Sequence, residues 1–225
     1  MVVGIIALAA GWSWGLLLLS FFVSASVLSK VGERKKADLV GALVEQDSER
    51  DAGQVLANGG LYALSAIGFL AFPSPVWHAI GIGALAASAA DTWSTEIGTL
   101  LGGEPISIVS GKKVEPGTSG GVTVLGTVAG AGGAVFIAAG ATLANWPVPF
   151  AAAALGGMAG ALADSVLGAT LQARRWCDLC AKPTERLVHG CGTPARHAGG
   201  IAGFDNDAVN AVCSGVGALV ALLLS

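Results

Sequence analysis

The stretch that decides the fold is VTVLGTVAGAGGAVFIAAGATLA, residues 122–144, which contains no ionisable side chain. A helix needs about 20 apolar residues to cross the ~30 Å hydrocarbon layer of a bilayer, so this stretch predicts a transmembrane helix. The whole chain of 225 residues shares this character, with 53% hydrophobic residues, 12% charged residues and 34 glycines. Because so few charges cannot cover a soluble domain, the composition predicts an integral membrane protein. The net charge of −3 excludes electrostatic binding to nucleic acid.

Further apolar stretches on both sides extend this prediction to an all-α, polytopic transmembrane bundle. Six helices are expected, at residues 2–28, 55–72, 76–91, 122–144, 148–171 and 208–224. The GWSWG segment at 11–15 offers an alternative with seven, in which the first stretch splits into a half helix and a full one. We expect one transmembrane domain over 1–225, with Gly/Ala-rich packing at Gly126/Gly130 and Gly156/Gly160.

The basic residues predict the orientation of the bundle. All twelve lysines and arginines fall in three loops, at about 30–53, 92–121 and 172–205, while the turns at 73–75 and 145–147 carry none. Lysine and arginine are retained on the cytoplasmic side of membrane proteins. We therefore expect a cell-membrane protein whose active site faces the cytoplasm.

Acidic residues gather near the cytoplasmic ends of the third, fifth and sixth predicted helices. They are Asp91, Glu96, Asp164, Asp205 and Asp207. Carboxylates that converge repel one another unless a cation lies between them, and oxygen ligands favour Mg²⁺ or Mn²⁺. We predict that Asp91, Glu96, Asp164 and Asp207 bind Mg²⁺. The alternative is that each caps a helix end or binds a single partner; the Asp-Thr and Asp-Ser steps at 91 and 164 also hint at a weak internal duplication.

A glycine-rich turn precedes the fourth predicted helix. It reads GKKVEPGTSGG, residues 111–121. Backbone N–H groups, hydroxyls and a helix start suit phosphate, although the order differs from a P-loop. We predict that Lys112 is catalytic and that the phosphate-binding residues are Lys113, Thr118, Ser119, Gly120 and Gly121. The alternative is a flexible turn. Together with Mg²⁺, this set is typical of phosphoryl transfer.

Three asparagines extend the predicted nucleotide or phosphate site. Arg50, Gln54 and Asn58 follow helical spacing into the second helix, where they either reach this site or bond to neighbouring helices. Asn206 and Asn210 lie one turn apart at the start of the sixth helix. We assign Asn58, Asn206 and Asn210 to the site.

One loop carries a cluster of soft metal ligands. Cys177, Cys180, His189 and Cys191 match the ligand set of a tetrahedral Cys3His zinc site. A structural disulfide fits less well, because cytosolic thiols are kept reduced. We expect a structural Zn²⁺ that fixes the shape of the loop.

Five motifs together resemble a family of integral membrane proteins that includes the plant phytyl-phosphate kinase of vitamin E synthesis. The motifs are R-x3-QV-x-ANG (50–59), DTWSTEIG (91–98), GTSGGV (117–122), DS-x2-GATLQ (164–172) and DND-x-VN (205–210). The resemblance implies a kinase that uses a nucleoside triphosphate, CTP being favoured. Its product would be the diphosphate of a prenyl or phytyl monophosphate.

The leading hypothesis is therefore a cytoplasm-facing lipid kinase in which Asp91, Glu96, Asp164 and Lys112 are catalytic. Its expected partners are a nucleoside triphosphate, a prenyl monophosphate and the membrane, and homo-oligomerisation stays open. One alternative is a transporter or channel for a cation or a phosphorylated lipid, since intramembrane carboxylates are typical of both. Another is a cytidylyl- or phosphatidyl-transferase with similar metals.

Overall fold

The first apolar stretch folds as two helices. The computed structural model describes residues 1–40 and 52–225. In it, α1 (Val2–Ala10) ends at Gly11, and α2 (Trp12–Lys30) begins directly afterwards. Gly11 has a φ of 143°, a conformation that glycine adopts without steric cost. With nine residues, α1 is about 14 Å long and cannot cross a bilayer alone. The alternative with a split first segment is confirmed.

Six further helices and five short strands complete the described part of the chain. The helices are α3 (Glu33–Val40), α4 (Ala52–Ala71), α5 (Pro75–Leu101), α6 (Val124–Leu143), α7 (Phe150–Thr170) and α8 (Asn206–Leu223). The strands are β1 (Ile106–Ser107), β2 (Gly121–Val122), β3 (Arg174–Cys177), β4 (Lys182–Thr184) and β5 (Arg196–Gly199). β1 pairs antiparallel with β2, and β3 lies between β4 and β5, antiparallel to both. The predicted all-α membrane bundle is confirmed, and the strands are confined to its loops.

Five of the described helices are long and apolar enough to cross a membrane. These spans are Trp12–Lys30, Gly53–Ala71, Val124–Leu143, Phe150–Thr170 and Asn206–Leu223. α5 lies at the centre and packs against α4, α6, α7 and α8. Its residues 81–90 are all buried, so small side chains rather than high hydropathy suit it to this position. At 27 residues it is about 40 Å long and continues to Leu101, ten residues past the predicted end at Asp91.

Glycines allow the central helices to pack closely. Gly126 and Gly130 of α6 contact α5, while Gly156 and Gly160 of α7 contact α8. At each position an added Cβ would lie only 2.7–3.0 Å from a carbonyl oxygen of the neighbouring helix. Real Cβ atoms do not approach as closely as 2.7–2.9 Å, so Gly126, Gly156 and Gly160 are required, while Gly130 at 3.0 Å is a tight contact. Both predicted small-residue seams are therefore helix interfaces.

The two ends of the bundle differ in chemistry. Where α2 and α5 begin, Trp14, Tyr62 and Trp146 form a buried aromatic cluster, and the Tyr62 hydroxyl donates to the Trp14 carbonyl at 2.8 Å. The described parts of the three basic loops meet at the opposite end. α3 contacts α5 there, and Ser119 of the second loop contacts Glu185 of the third. This end carries the polar side chains of the candidate site.

Candidate functional site

A cavity of about 180 Å³ opens at the end of the bundle where the three loops meet. Its walls come from Val40 of α3, from α5, α6, α7 and the start of α8, and from two loops. The acidic wall contains Asp91, Asp164 and Glu185; the turn at 116–121 forms a second wall; hydroxyl and amide groups of Thr95, Ser165, Gln172 and Asn206 complete the polar surface. Residues from distant parts of the sequence therefore meet in one place.

Two carboxyl groups from separate helices face each other in this cavity. Asp91 of α5 and Asp164 of α7 are within hydrogen-bonding reach of one another. The Oδ2 atom of Asp164 is buried and has no hydrogen-bond partner among the described residues. Two adjacent carboxylates cannot both be ionised at low cost unless a cation or a shared proton separates them. The structure thus brings together the two predicted metal ligands and leaves one oxygen available for a further partner.

Glu185 is a third acidic residue of the cavity, and sequence reasoning missed it. Its Oε1 accepts a hydrogen bond from the Ser119 hydroxyl, and its Oε2 accepts one from Gln172 Nε2 at 3.0 Å. The Arg175 guanidinium donates to the Glu185 carbonyl at 2.6 Å. Glu185 follows β4 in the loop of the predicted zinc ligands. The sequence contained one signal for it, because Glu185 is the single acidic residue between the predicted zinc ligands Cys180 and His189.

The predicted phosphate-binding turn lies directly over the end of α7. Gly120 has a φ of 78°, and an added Cβ would lie 2.4 Å from the Ala169 Cβ. This close approach seats the turn on the helix that carries Asp164. One backbone donor of the turn is already occupied, because the Gly121 N–H donates to the Thr118 carbonyl at 2.9 Å. Thr118, Ser119, Gly120 and Gly121 all line the cavity, as a phosphate site requires.

The structure does not bring the two predicted lysines to the cavity. Lys113 forms an ion pair with Glu104 in which both side chains are exposed. The hydrogen bond from Lys113 lowers the pKa of the Glu104 carboxyl, and Glu104 in turn raises the pKa of Lys113. Lys112 is exposed as well. Within the described ranges, no lysine or arginine lines the cavity.

Glu96, another predicted metal ligand, lies outside the cavity. It accepts a hydrogen bond from the Ser29 hydroxyl at 2.5 Å and forms an ion pair with Lys36. Lys36 is only 2% exposed and also donates to the carbonyls of Leu28 and Ser29 at 2.8 and 2.7 Å. The charge of Glu96 is therefore neutralised by a cation from the same chain, and Glu96 does not belong to the cavity lining beside Asp91.

The predicted residues of α4 and α8 are divided between the cavity and the interior. Asn206 lines the cavity, whereas Asn210 is buried within the bundle and Asn58 donates to the Gln54 carbonyl of its own helix at 3.0 Å. Asp207 stands in the first turn of α8 but does not belong to the lining that the described chain provides. Asp205 is the N-cap of α8, where it accepts from the Ala208 N–H at 3.1 Å. Arg50 lies outside the described residues.

One side of the cavity is apolar. Gly130 of α6 and Met158, Ala161 and Leu162 of α7 form this side. Leu162 is 46% exposed on the outer surface of the bundle. Because α6 and α7 both have the length and composition of membrane spans, this surface lies at membrane depth. The cavity thus joins a polar end to an apolar flank.

The four predicted zinc ligands cluster in the loop that precedes α8. The Sγ atoms of Cys177, Cys180 and Cys191 and a ring nitrogen of His189 all lie within 4.8 Å of one another. The cysteines are free thiols. Hydrogen bonds from Thr193 and His189 lower the pKa of the Cys191 thiol to about 5. The structure therefore assembles, over a small volume, ligand atoms that are separated by up to 14 residues in sequence.

The fold and this site define a class: a polytopic membrane protein with a carboxylate-lined cavity at one end of its helical bundle. The chain belongs to the family described as integral membrane protein DUF92, whose sequence profile matches residues 1–218. This membership confirms the family resemblance expected from the motifs.

The relatives of the chain span plants, archaea and cyanobacteria. The chain is 33% identical to Protein PGR of Arabidopsis thaliana, over 90% of this chain and 78% of that protein. It is 38% identical to an uncharacterised membrane protein of Methanocaldococcus jannaschii, over 72% and 66% of the two chains. An uncharacterised membrane protein of a Synechocystis strain is 30% identical over 85% and 74%. No solved structure matches the chain.

Proposed function

We propose that the chain is a membrane-embedded kinase that transfers a phosphoryl group from a nucleoside triphosphate to a prenyl monophosphate. The observation that carries this proposal is the cavity, which joins an acidic end to an apolar flank at membrane depth. A phosphorylated lipid likewise combines a charged end with an apolar tail, and a divalent cation would join its phosphate to the acidic wall. The family resemblance of the motifs adds CTP as the favoured donor and phytyl or prenyl phosphate as the acceptor.

Asp91 and Asp164 would hold Mg²⁺ or Mn²⁺ in this enzyme. Their fit rests on the oxygen donors of the cavity and on the buried Asp164 Oδ2, which has no partner among the described residues. When bound, such an ion neutralises the charge of the phosphates during transfer. Glu185 lines the same cavity and would take the supporting place that we predicted for Glu96 from sequence.

The volume of the cavity limits what it holds. Sites for whole drug-sized ligands enclose about 300–1,000 Å³, and this cavity has about 180 Å³. We therefore place only the reacting phosphates inside it, beneath the hydroxyls of Thr118 and Ser119. The nucleoside would lie outside, toward the loops, and the lipid tail would lie along the apolar flank of α6 and α7.

The transfer needs little from the protein besides placement. An oxygen of the prenyl monophosphate attacks the γ-phosphorus, the bond from that phosphorus to the β,γ-bridging oxygen breaks, and the nucleoside diphosphate leaves. A phosphate monoester is already nucleophilic near neutral pH, so no dedicated base is required. Asn206 and the turn at 117–121 would orient the phosphates, and this positioning accounts for most of the rate.

We place this site on the cytoplasmic side, where the nucleotide is available. The argument is the distribution of charge: all twelve basic residues lie in the three loops. The described parts of these loops meet at the cavity end of the bundle, through the α3–α5 contact and the Ser119–Glu185 hydrogen bond.

The test is a transfer assay with purified protein in nanodiscs. Labelled CTP, Mg²⁺ and phytyl or geranylgeranyl monophosphate should give the lipid diphosphate, and Asp91→Asn should abolish the product. Glu104→Gln, which changes an exposed carboxylate that is not part of the cavity lining, is the matched control and should retain activity. Failure to form diphosphate from any nucleoside triphosphate or prenyl phosphate would contradict the proposal.

The same preparation separates the kinase from its rivals. Release of a nucleoside monophosphate and pyrophosphate would identify a cytidylyl-transferase in place of a kinase. Cation or lipid-phosphate flux into liposomes without nucleotide would identify a transporter. The kinase instead predicts one nucleoside diphosphate released for each lipid diphosphate formed.

A further inference from the structure

The cysteine and histidine cluster has the dimensions of a closed zinc site. Cys177 Sγ lies 3.6 Å from Cys191 Sγ, and His189 Nδ1 lies 3.1 Å from Cys191 Sγ. Ligands of tetrahedral zinc stand about 3.8 Å apart when the Zn–S distance is about 2.3 Å, and slightly closer where one ligand is nitrogen. The four atoms therefore lie close enough together to surround one zinc ion after small adjustments of the side chains.

The environment of these ligands is that of a structural site. Cys177 is fully buried, His189 is 6% exposed and Cys180 is half-buried, while Cys191 is exposed at the edge of the cluster. The Nε2 atom of His189 is buried without a hydrogen-bond partner among the described residues. The Nδ1 atom of the same ring contacts Cys191 Sγ and accepts from the Cys191 N–H at 3.4 Å, so Nε2 is the nitrogen whose burial a bound ligand would compensate. Three thiol ligands and one imidazole leave no open coordination position for chemistry.

The backbone also turns as such a site requires. Cys177 ends β3, Cys180 follows in the tight turn, and the next residue, Ala181, has a φ of 51°. The second pair of ligands, His189 and Cys191, is also followed by a residue with positive φ, because Gly192 has a φ of 83°. A left-handed conformation at Ala181 costs free energy and persists only where surrounding contacts enforce it.

This cluster encloses the residue that enters the cavity from the loop. Glu185 lies between Cys180 and His189 in sequence, so ligands on both sides of it would be tied to one ion. Its neighbour Thr184 is buried at the end of β4 and pairs with Arg175 of β3. Fixing the loop at four points would hold the Glu185 carboxylate against Ser119 and Gln172.

We propose that Cys177, Cys180, His189 and Cys191 bind one structural Zn²⁺ that positions Glu185 in the wall of the cavity. The zinc site stands on its own geometry, while the effect on catalysis rests on the proposed function. Glu185 is the residue through which the metal acts, and the metal itself does not touch the phosphates.

Metal analysis of the full-length protein in nanodiscs tests the site independently of kinase activity. The wild-type chain should contain about one zinc per chain, and cobalt-loaded protein should show the absorption bands of tetrahedral thiolate coordination. Cys180→Ser and His189→Ala should lose the zinc, whereas Cys213→Ser, in α8, and His197→Ala, in β5, should keep it. Wild-type protein without zinc, or with iron in its place, would overturn the proposal.

Chelation of the wild-type protein tests the positioning role even where a variant does not fold. Removal of zinc should increase proteolysis between Cys180 and His189. Return of zinc should restore the protection. The rate of phosphoryl transfer should fall when zinc is removed and recover when zinc is returned. In the Glu185→Gln variant, zinc removal should not lower the rate further. If proteolysis does not change on chelation, the ion does not order the loop; if zinc is present and no variant forms diphosphate, the zinc site stands and the proposed function fails.

Discussion

Two carboxylates of the central helix α5 lie in opposite environments. Asp91 and Glu96 are five residues apart, which places them about 140° apart around the helix. Glu96 meets a buried lysine, Lys36, and the Ser29 hydroxyl. Asp91 meets a second carboxyl group, Asp164, and a cavity. One helix therefore carries Glu96, whose charge is neutralised by a lysine, and Asp91, which faces another carboxyl group.

The difference shows how a buried charge can be assigned to structure or to function. An ion pair whose partners are both fully hydrogen-bonded needs nothing further, and loss of one partner damages the fold. A pair of carboxyl groups beside a cavity is unfavourable alone and becomes favourable when a cation binds. Substitutions on the two faces of α5 should therefore act on different properties of the protein.

The largest effect is expected at the carboxyl pair. Asp164→Asn should lower the rate of lipid diphosphate formation by about 10³-fold, because preorganised electrostatic groups contribute on this scale. The midpoint of thermal unfolding in detergent should stay constant or rise without added divalent cation, since a like charge is removed. Initial rates and scanning fluorimetry measure both quantities. A variant that unfolds early and retains its specific activity would reverse the assignment.

On the face of α5 that carries Glu96, substitutions should lower stability and leave activity nearly unchanged. Lys36→Met leaves Glu96 buried and unpaired, which should destabilise the protein by about 3 kcal/mol. The double variant Lys36→Met/Glu96→Gln removes both charges and should recover most of the thermal midpoint. Activity per folded molecule should be close to that of the wild type in the double variant. A double variant as inactive as Asp164→Asn would place Glu96 in the catalytic machinery after all.

Glu185 should have an intermediate effect. Glu185→Gln keeps the shape of the side chain but removes the charge that accepts from Ser119 and Gln172. Residues that support metal ligands typically contribute 10–100-fold, and we expect a loss of about that size in activity or in Mg²⁺ affinity. A titration of rate against Mg²⁺ separates the two. An unchanged Mg²⁺ dependence together with a normal rate would remove Glu185 from the site.

The smallest effect is expected at Lys113. Its ion pair with Glu104 is exposed, and exposed pairs are screened by water and salt. Lys113→Ala should change the rate of transfer by no more than about twofold. A steady-state assay over a range of CTP concentrations would reveal a role in nucleotide binding as an increase in KM, which would restore the prediction made from sequence.

The features that depend on hydrophobic pattern and composition could be predicted from the sequence. The helical stretches, the small-residue seams, Asp91, Asp164 and the turn at 117–121 were all visible in it. The divided first segment was visible as an alternative, because glycine at position 11 marks a break. These features depend on local preferences and on the cost of charge in a bilayer, which act on each segment separately.

Other parts depend on which segments meet. The place of Glu96 could not be predicted, because α3 returns to α5 and supplies Lys36 from 60 residues away. Helical spacing shows that Asp91 and Glu96 differ in direction but not what each one faces. Glu185 was missed because its position follows from the fold of a loop that local preferences do not determine. Lys112 and Lys113 were assigned from proximity in sequence to the turn, but neither lines the cavity, and Lys113 pairs with Glu104 instead.

The measurement that tests the central claim most directly is Mn²⁺ binding, monitored by electron paramagnetic resonance with and without CTP. The wild-type protein and Lys36→Met/Glu96→Gln should each bind one Mn²⁺ per chain at the cavity. Asp91→Asn and Asp164→Asn should lose that ion while remaining folded. Equal Mn²⁺ binding by wild type and Asp164→Asn, or no binding by the wild type under either condition, would contradict a shared divalent cation between these two helices.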